Sequence, residues 1–231
     1  MRLRPDVALF VVLLTGSAYT VSTQIGSDPV APYERKAAAI GSVLDDFRLL
    51  TVDGKPHTLA ELKGKKATVL YFWSIGCPCV DVVEPRIQKV IEAYEPKGVE
   101  FIAIDSDPTD IKAEIIHKMG KLHAPYRMLV DPGQSVIKKA GALTSTEVVV
   151  LDANDRIRYR GKIDDDLRKP TIDYLAPALD AILSGRDPEP AETKSYGCPF
   201  PGFEGVCELE GVGTPKSDKV WKSPLPPKPP K

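Results

Sequence analysis

The sequence lacks a marked excess of charge of either sign. Its 31 lysines and arginines are balanced by 32 aspartates and glutamates, which leaves a formal net charge of -1. Because a strong field is needed to attract nucleic acid or anionic lipid, this balance argues against both as partners. Hydrophobic residues make up 42% of the 231 residues, a globular composition that can bury one sizeable core. We therefore expect one main domain.

Histidine and cysteine are also scarce, at three and four residues. Cys77 and Cys79 have one residue between them, whereas structural zinc sites usually have about two to four between paired cysteines. No histidine stands at ligand spacing from this pair, and no Cys-x-x-Cys-His sequence for covalent haem attachment occurs. The sequence therefore predicts no resident metal and no other cofactor.

The N-terminal segment has the composition of a secretory signal. Two arginines precede an apolar run at residues 7–14, and small residues follow it. Residues 7–27 carry no charge, so an uncleaved membrane anchor is the alternative. We assign residues 1–26 to a signal peptide or N-terminal anchor and residues 27–41 to a linker. The rest of the chain is expected to be exported, in the periplasm or another extracytoplasmic compartment, where disulfides persist.

The region around Cys77 has the strongest local pattern. Residues 68–73 are uncharged and are β-branched, aromatic or aliphatic, which is typical of a buried strand. Beyond Cys79, apolar residues recur at the spacing of one helical stripe, namely Val83, Ile87, Val90, Ile91 and Tyr94. A cysteine at a helix N-terminus lies near unpaired N–H groups and the positive end of the helix dipole, which lower its pKa. Cys77 is therefore predicted to be a nucleophile.

Strands and helices alternate through residues 42–185. Further buried strands are predicted at residues 99–105, 126–130 and 147–151. A helix is predicted to begin at Asp107, and residues 156–160 alternate as an edge strand does. This order predicts an α/β fold with a mixed sheet flanked by helices. Residues 186–231 contain two cysteines and many prolines and lysines, and we predict a tail that is extended or disordered at its end.

The domain resembles the thioredoxin-fold redoxins, which include alkyl hydroperoxide reductase-like proteins and exported thiol-disulfide oxidoreductases. The residues that carry the resemblance are Phe72 and Trp73 before Cys77, Pro85 eight residues after it, Gly98 and Val99, the Asp131–Pro132 turn, and residues 147–152. Proline inside a helix lowers stability by about 3 kcal/mol or more, so the position of Pro85 within the predicted helix is informative. The family has a kinking proline at this distance from its attacking cysteine. The resemblance thus implies a thioredoxin-like domain with Cys77 as the nucleophile.

Three positions depart from the ordinary thioredoxin pattern. Val80 stands where the second cysteine of Cys-x-x-Cys would be, and Cys79 is offset from it. Because residues two apart on a helix do not face each other, a Cys77–Cys79 disulfide is expected to be strained and easily reduced. Thr146 aligns with the family's cis-proline, and its peptide bond is expected to be trans because a non-proline cis bond costs about 2.5–4 kcal/mol. Tyr71 replaces the family's buried carboxylate, so this acid/base group is expected to be missing.

Further candidate residues follow from the resemblance. Ser74 matches a hydroxyl residue that peroxiredoxins place three residues before their reactive cysteine, although local hydrogen bonding is an equally simple role. Ser74 and Thr146 are the predicted substrate-binding residues. Cys198 lies in a Tyr-Gly-Cys-Pro sequence resembling an element that follows the redoxin domain in some exported relatives, which implies that Cys198 folds back as a resolving thiol. The alternative is a local Cys198–Cys207 disulfide.

Three functions are consistent with these features. The first is an exported oxidoreductase that exchanges disulfides with protein thiols through Cys77, with Cys79 or Cys198 as the resolving residue and a reducing protein as partner. The second is a peroxiredoxin-like antioxidant that reduces peroxide through a sulfenic acid. The third is a copper-handling or assembly protein that uses Cys77 and Cys79 as soft ligands. The N-terminal segment would tether any of these to a membrane if it is not cleaved.

Overall fold

Strands and helices alternate along residues 38–203, the part of the chain that the structure, a computed structural model, describes. The strands are β1 (Arg48–Thr51), β2 (Pro56–Thr58), β3 (Ala67–Trp73), β4 (Val99–Asp105), β5 (Arg127–Val130), β6 (Val148–Asp152) and β7 (Ile157–Gly161). The helices are α1 (Leu59–Leu62), α2 (Pro78–Tyr94), α3 (Lys112–Leu122), α4 (Ser135–Ala140) and α5 (Leu175–Leu183), and a 3-10 turn covers Glu95–Lys97.

The strands form one seven-stranded sheet in the order β2-β1-β5-β4-β3-β6-β7. β3, β4 and β5 are parallel, as expected of strands joined by helical crossovers. β6 runs antiparallel to β3 and β7 antiparallel to β6, while β1 is antiparallel to both β5 and β2. The predicted mixed sheet with flanking helices is confirmed. β3, the strand that leads to Cys77, lies between β4 and β6.

The sheet separates two hydrophobic cores. Successive side chains of a strand point to opposite faces, so Tyr71 and Trp73 of β3 lie in one core with residues of α2, α3 and α5. Leu70 and Phe72 lie in the other core with residues of α1 and α4. Every residue of β3 is buried. Because both faces of β3 are packed, the point at which the chain leaves the strand toward Cys77 is held firmly.

The helix α3 begins later than the sequence predicted. Its first helical residue is Lys112, preceded by Ile111, rather than a residue next to Asp107. The Asp107 carboxylate instead accepts hydrogen bonds from the N–H and the hydroxyl of Thr109, at 2.9 and 2.7 Å. Aspartate often forms such local turns in competition with a helix cap. This turn brings Asp107 and Asp110 near the segment that connects β3 to α2.

Residues 186–203 pack against the domain, although the sequence predicted a tail from residue 186 onward. Phe200 and Phe203 are almost completely buried in the core that contains α1 and α4. Burial of an aromatic side chain stabilises a fold by about 1.5–3 kcal/mol, so these residues attach the segment firmly. The predicted domain end at residue 185 therefore leaves out a packed segment, which carries Cys198.

The predicted signal peptide or anchor at residues 1–26 and most of the predicted linker lie outside the described residues, as do residues 204–231. Within residues 38–203, every helix is too short or too polar to cross a membrane.

Candidate active site

Cys77 lies between the end of β3 and the start of α2. Its backbone is extended (φ -87°, ψ 115°), so Cys77 precedes the helix and Pro78 is the first helical residue. Proline suits this position because its missing N–H would have no partner there. Pro85 lies inside α2, where the resemblance to redoxins places it. The predicted nucleophile is therefore at the helix N-terminus, but only 2% of it is exposed.

The structure brings the three predicted catalytic cysteines together as free thiols. The Sγ atoms of Cys77, Cys79 and Cys198 all lie within 4.8 Å of one another. Cys77 is extended and precedes the helix, so Cys77 and Cys79 are not two residues apart on one helix, which was the premise for a strained bond between them. Cys79 is 8% exposed, whereas Cys198 is partly exposed. Cys207, the alternative partner of Cys198, lies outside the described residues.

Hydrogen bonds with Ser145 hold Cys198 in place. The Ser145 N–H donates to the Cys198 carbonyl oxygen at 2.9 Å, and the Cys198 N–H donates to the Ser145 hydroxyl at 3.2 Å. Gly197 permits this close approach, since a Cβ atom added there would lie 1.5 Å from the Ser145 carbonyl oxygen. The segment that carries Cys198 is therefore paired to the loop before β6 and needs glycine at residue 197.

Tyr196 fixes the same segment to α2. Its hydroxyl donates to Asp164 Oδ1 at 3.0 Å, and Asp164 Oδ2 forms an ion pair with Arg86 Nε of α2 at 2.8 Å. The Tyr196 carbonyl oxygen accepts a weak hydrogen bond from Cys79 Sγ at 3.9 Å. Asp164 is thus a buried link between Tyr196 and α2. Contacts on both sides of Gly197 keep the segment over the cysteine cluster.

Charge is distributed unequally among the three thiols. Hydrogen bonds from Cys198 and then Cys79 hold the pKa of Cys77 well below its usual value, against the opposing effect of burial. Hydrogen bonds to Cys77 and Cys79, together with burial, raise the pKa of Cys198 strongly. A hydrogen bond with Cys198 lowers the pKa of Cys79, but its bond to Cys77, burial and the Cys77 charge outweigh this and raise it to about 11. The thiolate of the reduced site is therefore Cys77.

The two predicted substrate-binding residues have different surroundings. Ser74 directs its hydroxyl toward Asp107 at 3.4 Å. Thr146 follows a trans peptide bond, as expected, and has a left-handed backbone (φ 66°) whose N–H donates to the Phe72 carbonyl oxygen at 2.7 Å. The buried Thr146 hydroxyl has no hydrogen-bond partner within residues 38–203. The Thr146 hydroxyl oxygen would lie 2.8 Å from a Cβ atom added to Gly197, so Thr146 borders the segment that carries Cys198.

A buried carboxylate lies on α2, at a position other than that of the carboxylate that Tyr71 replaces. Glu84 is 1% exposed and accepts hydrogen bonds from the Tyr126 hydroxyl at 2.9 Å and from Gln88 at 3.1 Å. Burial is the main cause that raises its pKa, and the hydrogen bonds from Gln88 and Tyr126 oppose it. The signal was available in the sequence, because Glu84 falls on the apolar stripe between Val80 and Ile87. Tyr71, at the position of the family's carboxylate, is buried in the core that contains residues of α2.

A second acidic group lies under the connection from β3 to α2. Asp110 accepts a hydrogen bond from the Ile75 N–H at 2.7 Å, and Asp105 accepts one from the Asp107 N–H at 3.0 Å. Burial, followed by the charge of Asp110, raises the pKa of Asp105 to about 9. Asp105 is 2% exposed and is therefore protonated at neutral pH.

Replacement of Asp105 by asparagine is expected to make the protein more stable than wild type above about pH 4, by an amount that grows as the pH rises. The folded state retains a proton on Asp105 that the unfolded chain releases above about pH 4. The stability contributed by the protonated Asp105 is therefore complete below about pH 4, and it decreases as the pH rises toward about 9. In Asp105→Asn this loss disappears, and the unfolding free energy near pH 8 should exceed that of wild type by more than about 1 kcal/mol. Urea unfolding from about pH 4 to pH 8 measures the difference.

Asp45→Asn is the matched control for this prediction, because it removes an exposed carboxylate. Its effect should be small at every pH, within about 0.5 kcal/mol. A stability difference for Asp105→Asn that does not change with pH would show that Asp105 does not hold a proton in the folded protein.

A central strand that leads through a short connection to a cysteine just before a helix, within a mixed sheet covered by helices on both faces, defines a thioredoxin-like thiol protein. The sequence profile of the family described as Redoxin matches residues 39–175. The chain belongs to the Redoxin family, and the resemblance expected from the sequence is confirmed. The matched range includes Cys77 and Cys79 but ends before Cys198, which lies in the additional packed segment.

Several relatives and solved structures are similar to this chain. The thiol-disulfide oxidoreductase ResA of Bacillus thuringiensis subsp. konkukian is 30% identical over 118 residues, which are 51% of this chain and 66% of that relative. The chain thus spans just under two thirds of its length. An uncharacterised conserved protein of Geobacillus kaustophilus has a TM-score of 0.65 and 30% identity, over 70% of this chain and 91% of its own. A hypothetical protein of Sinorhizobium meliloti 1021 has a TM-score of 0.64 and 28% identity, over 71% and 94%.

Proposed function

We propose that this protein is a thiol-disulfide oxidoreductase in which Cys77 and Cys198 form the redox pair. One observation carries the choice of pair: the Sγ atom of Cys198 lies within 4.8 Å of the buried Cys77 Sγ, and Cys198 is the member of the cluster with partial exposure. A pair that exchanges electrons with another protein needs one sulfur that the partner can reach. The name of the ResA relatives supports the same reaction class.

The exchange proceeds by two displacements at sulfur. A thiolate of a reducing partner protein attacks Cys198 Sγ in the Cys77–Cys198 disulfide, and the S–S electron pair leaves with Cys77 as its thiolate. A second partner thiolate then attacks the partner's own sulfur in the mixed disulfide, and Cys198 leaves and takes a proton from solvent. The partner dithiol becomes a disulfide and this protein gains two electrons. The same steps in reverse reduce a disulfide in a target protein.

Leaving-group chemistry favours this direction of attack. The thiol of lower pKa leaves faster in disulfide exchange. In the reduced site, hydrogen bonds from Cys198 and then Cys79 lower the pKa of Cys77. Cys198 has no thiol proton to donate while it is in a disulfide, but the Cys79 thiol remains a donor, so Cys77 is the better leaving group of the pair. Cys79, whose pKa is raised to about 11, stays a thiol and donates to Cys77. We therefore assign Cys79 to stabilisation of the Cys77 thiolate rather than to the disulfide.

The peroxidase alternative receives less support from the geometry. Ser74, the predicted peroxide-binding hydroxyl, hydrogen-bonds to Asp107. Cys77, which would have to meet the peroxide, is 2% exposed beneath the Cys198 segment. The reaction with protein thiols is therefore the preferred function. The experiment described next also measures whether the protein reduces peroxide.

The experiment maps the disulfide of the mildly oxidised full-length protein by mass spectrometry and measures disulfide exchange by single-cysteine variants. We expect a Cys77–Cys198 disulfide, and loss of exchange by about 100-fold or more in both Cys77→Ser and Cys198→Ser. Cys207→Ser, which removes a cysteine outside the described segment, is the control and should retain activity. A Cys77–Cys79 disulfide with full activity of Cys198→Ser would refute the proposed pair, and fast peroxide turnover would favour the peroxidase.

We also propose that the domain functions outside the cytoplasm, either free or tethered by residues 1–26. Support comes from the signal-like composition of that segment and from a redox pair that suits an oxidising compartment. Cell fractionation of the full-length chain tests this. Recovery in the cytosol with an intact N-terminus would contradict it.

A further inference from the structure

We propose that the reduced protein binds one Cu(I) ion between the sulfur atoms of Cys77, Cys79 and Cys198. The sequence alone suggested at most a two-sulfur copper site at Cys77 and Cys79, and the structure adds a third ligand from a distant part of the chain. The proposal goes beyond disulfide exchange and needs the cysteines only in their reduced state.

The distances within the cluster suit a three-coordinate metal. Metal–thiolate bonds of about 2.3 Å, the length found for zinc, place the three sulfurs of a trigonal site about 4 Å apart. The three Sγ atoms already lie within 4.8 Å of one another. Each Sγ–Sγ distance would therefore have to shorten by no more than about 0.8 Å to complete the site.

The ligand set favours Cu(I) over other common metals. Thiolate sulfur is a soft ligand and selects Cu(I), whereas structural zinc is almost always held by four ligands. Within residues 38–203, no histidine or carboxylate joins the three cysteines to provide a fourth ligand. Cys77 and Cys79 are both less than a tenth exposed, so most of the coordination sphere would be shielded from water.

The fold positions all three ligands in advance. Cys77 and Cys79 are fixed by the start of α2, which follows the fully buried strand β3. Cys198 is fixed by its two hydrogen bonds with Ser145. Groups that orient metal ligands typically contribute about 10–100-fold to affinity, so Ser145 is a positioning residue for the site. Binding displaces the remaining thiol protons to solvent and changes no oxidation state.

The test titrates the reduced full-length protein with Cu(I) under anaerobic conditions in competition with a chromophoric Cu(I) chelator. We expect one Cu(I) per chain, and X-ray absorption should show three sulfur ligands. Cys77→Ser, Cys79→Ser and Cys198→Ser should each weaken binding by about 100-fold or more, because loss of a ligand costs at least as much as loss of its orienting partner. Cys207→Ser is the matched control and should bind as wild type does.

The outcomes separate this proposal from the proposed oxidoreductase. In Cys79→Ser the Cys77–Cys198 disulfide should still form on mild oxidation while Cu(I) binding weakens. Unchanged Cu(I) affinity in Cys198→Ser would overturn the three-sulfur site, and so would preferential retention of zinc when both metals are offered. Neither result would bear on disulfide exchange, whereas failure of the disulfide to form would refute the redox pair and leave the copper measurement standing.

Discussion

Gly197→Ala is expected to detach the Cys198 segment from the active site. The added Cβ would lie 1.5 Å from the Ser145 carbonyl oxygen and 2.8 Å from the Thr146 hydroxyl. The first of these is a backbone atom, so the clash cannot be relieved by a side-chain rotation, and the hydrogen bonds between Ser145 and Cys198 must break. We expect destabilisation by about 2–3 kcal/mol, in the range of overpacked sites. Disulfide exchange should fall by about tenfold or more, because Cys77 loses a partner held beside it.

Two measurements test the Gly197→Ala prediction. Urea unfolding gives the loss of stability, and mass-mapped alkylation of the reduced protein gives the accessibility of Cys77, which should increase by about tenfold or more once its cover is displaced. Gly133→Ala is the matched control, since a Cβ at that position meets no atom within 4 Å. Unchanged alkylation of Cys77 in Gly197→Ala would show that the segment tolerates the extra atom and that its pairing with Ser145 is not needed.

The sheet and the position of Cys77 could be predicted because local patterns specify them. An uncharged run of strand-forming residues and a helical stripe of apolar residues surround Cys77, and both features appear in the structure as β3 and α2. Pro85 provided the alignment within the helix. Such signals extend over a few turns or one strand and need no knowledge of distant contacts.

The arrangement of the other cysteines could not be predicted in the same way. Cys198 is placed by hydrogen bonds to Ser145, which lies 53 residues earlier in the sequence, and by a glycine required for close approach. The proximity of Cys79 depends on the extended backbone of a single residue, Cys77. High proline content suggested a tail without a core, but Phe200 and Phe203 override that composition by burial. These features are set by tertiary contacts rather than by local pattern.

The Cys198→Ser variant is expected to react more slowly with large disulfide partners than with small ones. The Cys77→Ser variant should show this difference in rate to a much smaller extent. In Cys198→Ser the remaining thiol of the pair is Cys77, which is 2% exposed and lies beneath a segment held by Ser145 and by Tyr196. In Cys77→Ser the remaining thiol is partly exposed. A small disulfide can reach a covered sulfur more easily than a folded protein can, so partner size should matter chiefly for Cys77.

The quantity to measure is the ratio of two rates, that for a protein-sized disulfide divided by that for a small disulfide such as oxidised glutathione. The intrinsic nucleophilicity of each thiol affects both rates and cancels in the ratio, which leaves access as the difference. With Cys79 and Cys207 replaced by serine in both variants, the ratio should be lower by about tenfold or more in Cys198→Ser. Equal ratios would mean that the segment opens during exchange, in which case proteins bond directly to Cys77. A lower ratio would mean that the segment stays closed, so that Cys198 is the sulfur at which electrons enter and leave this protein.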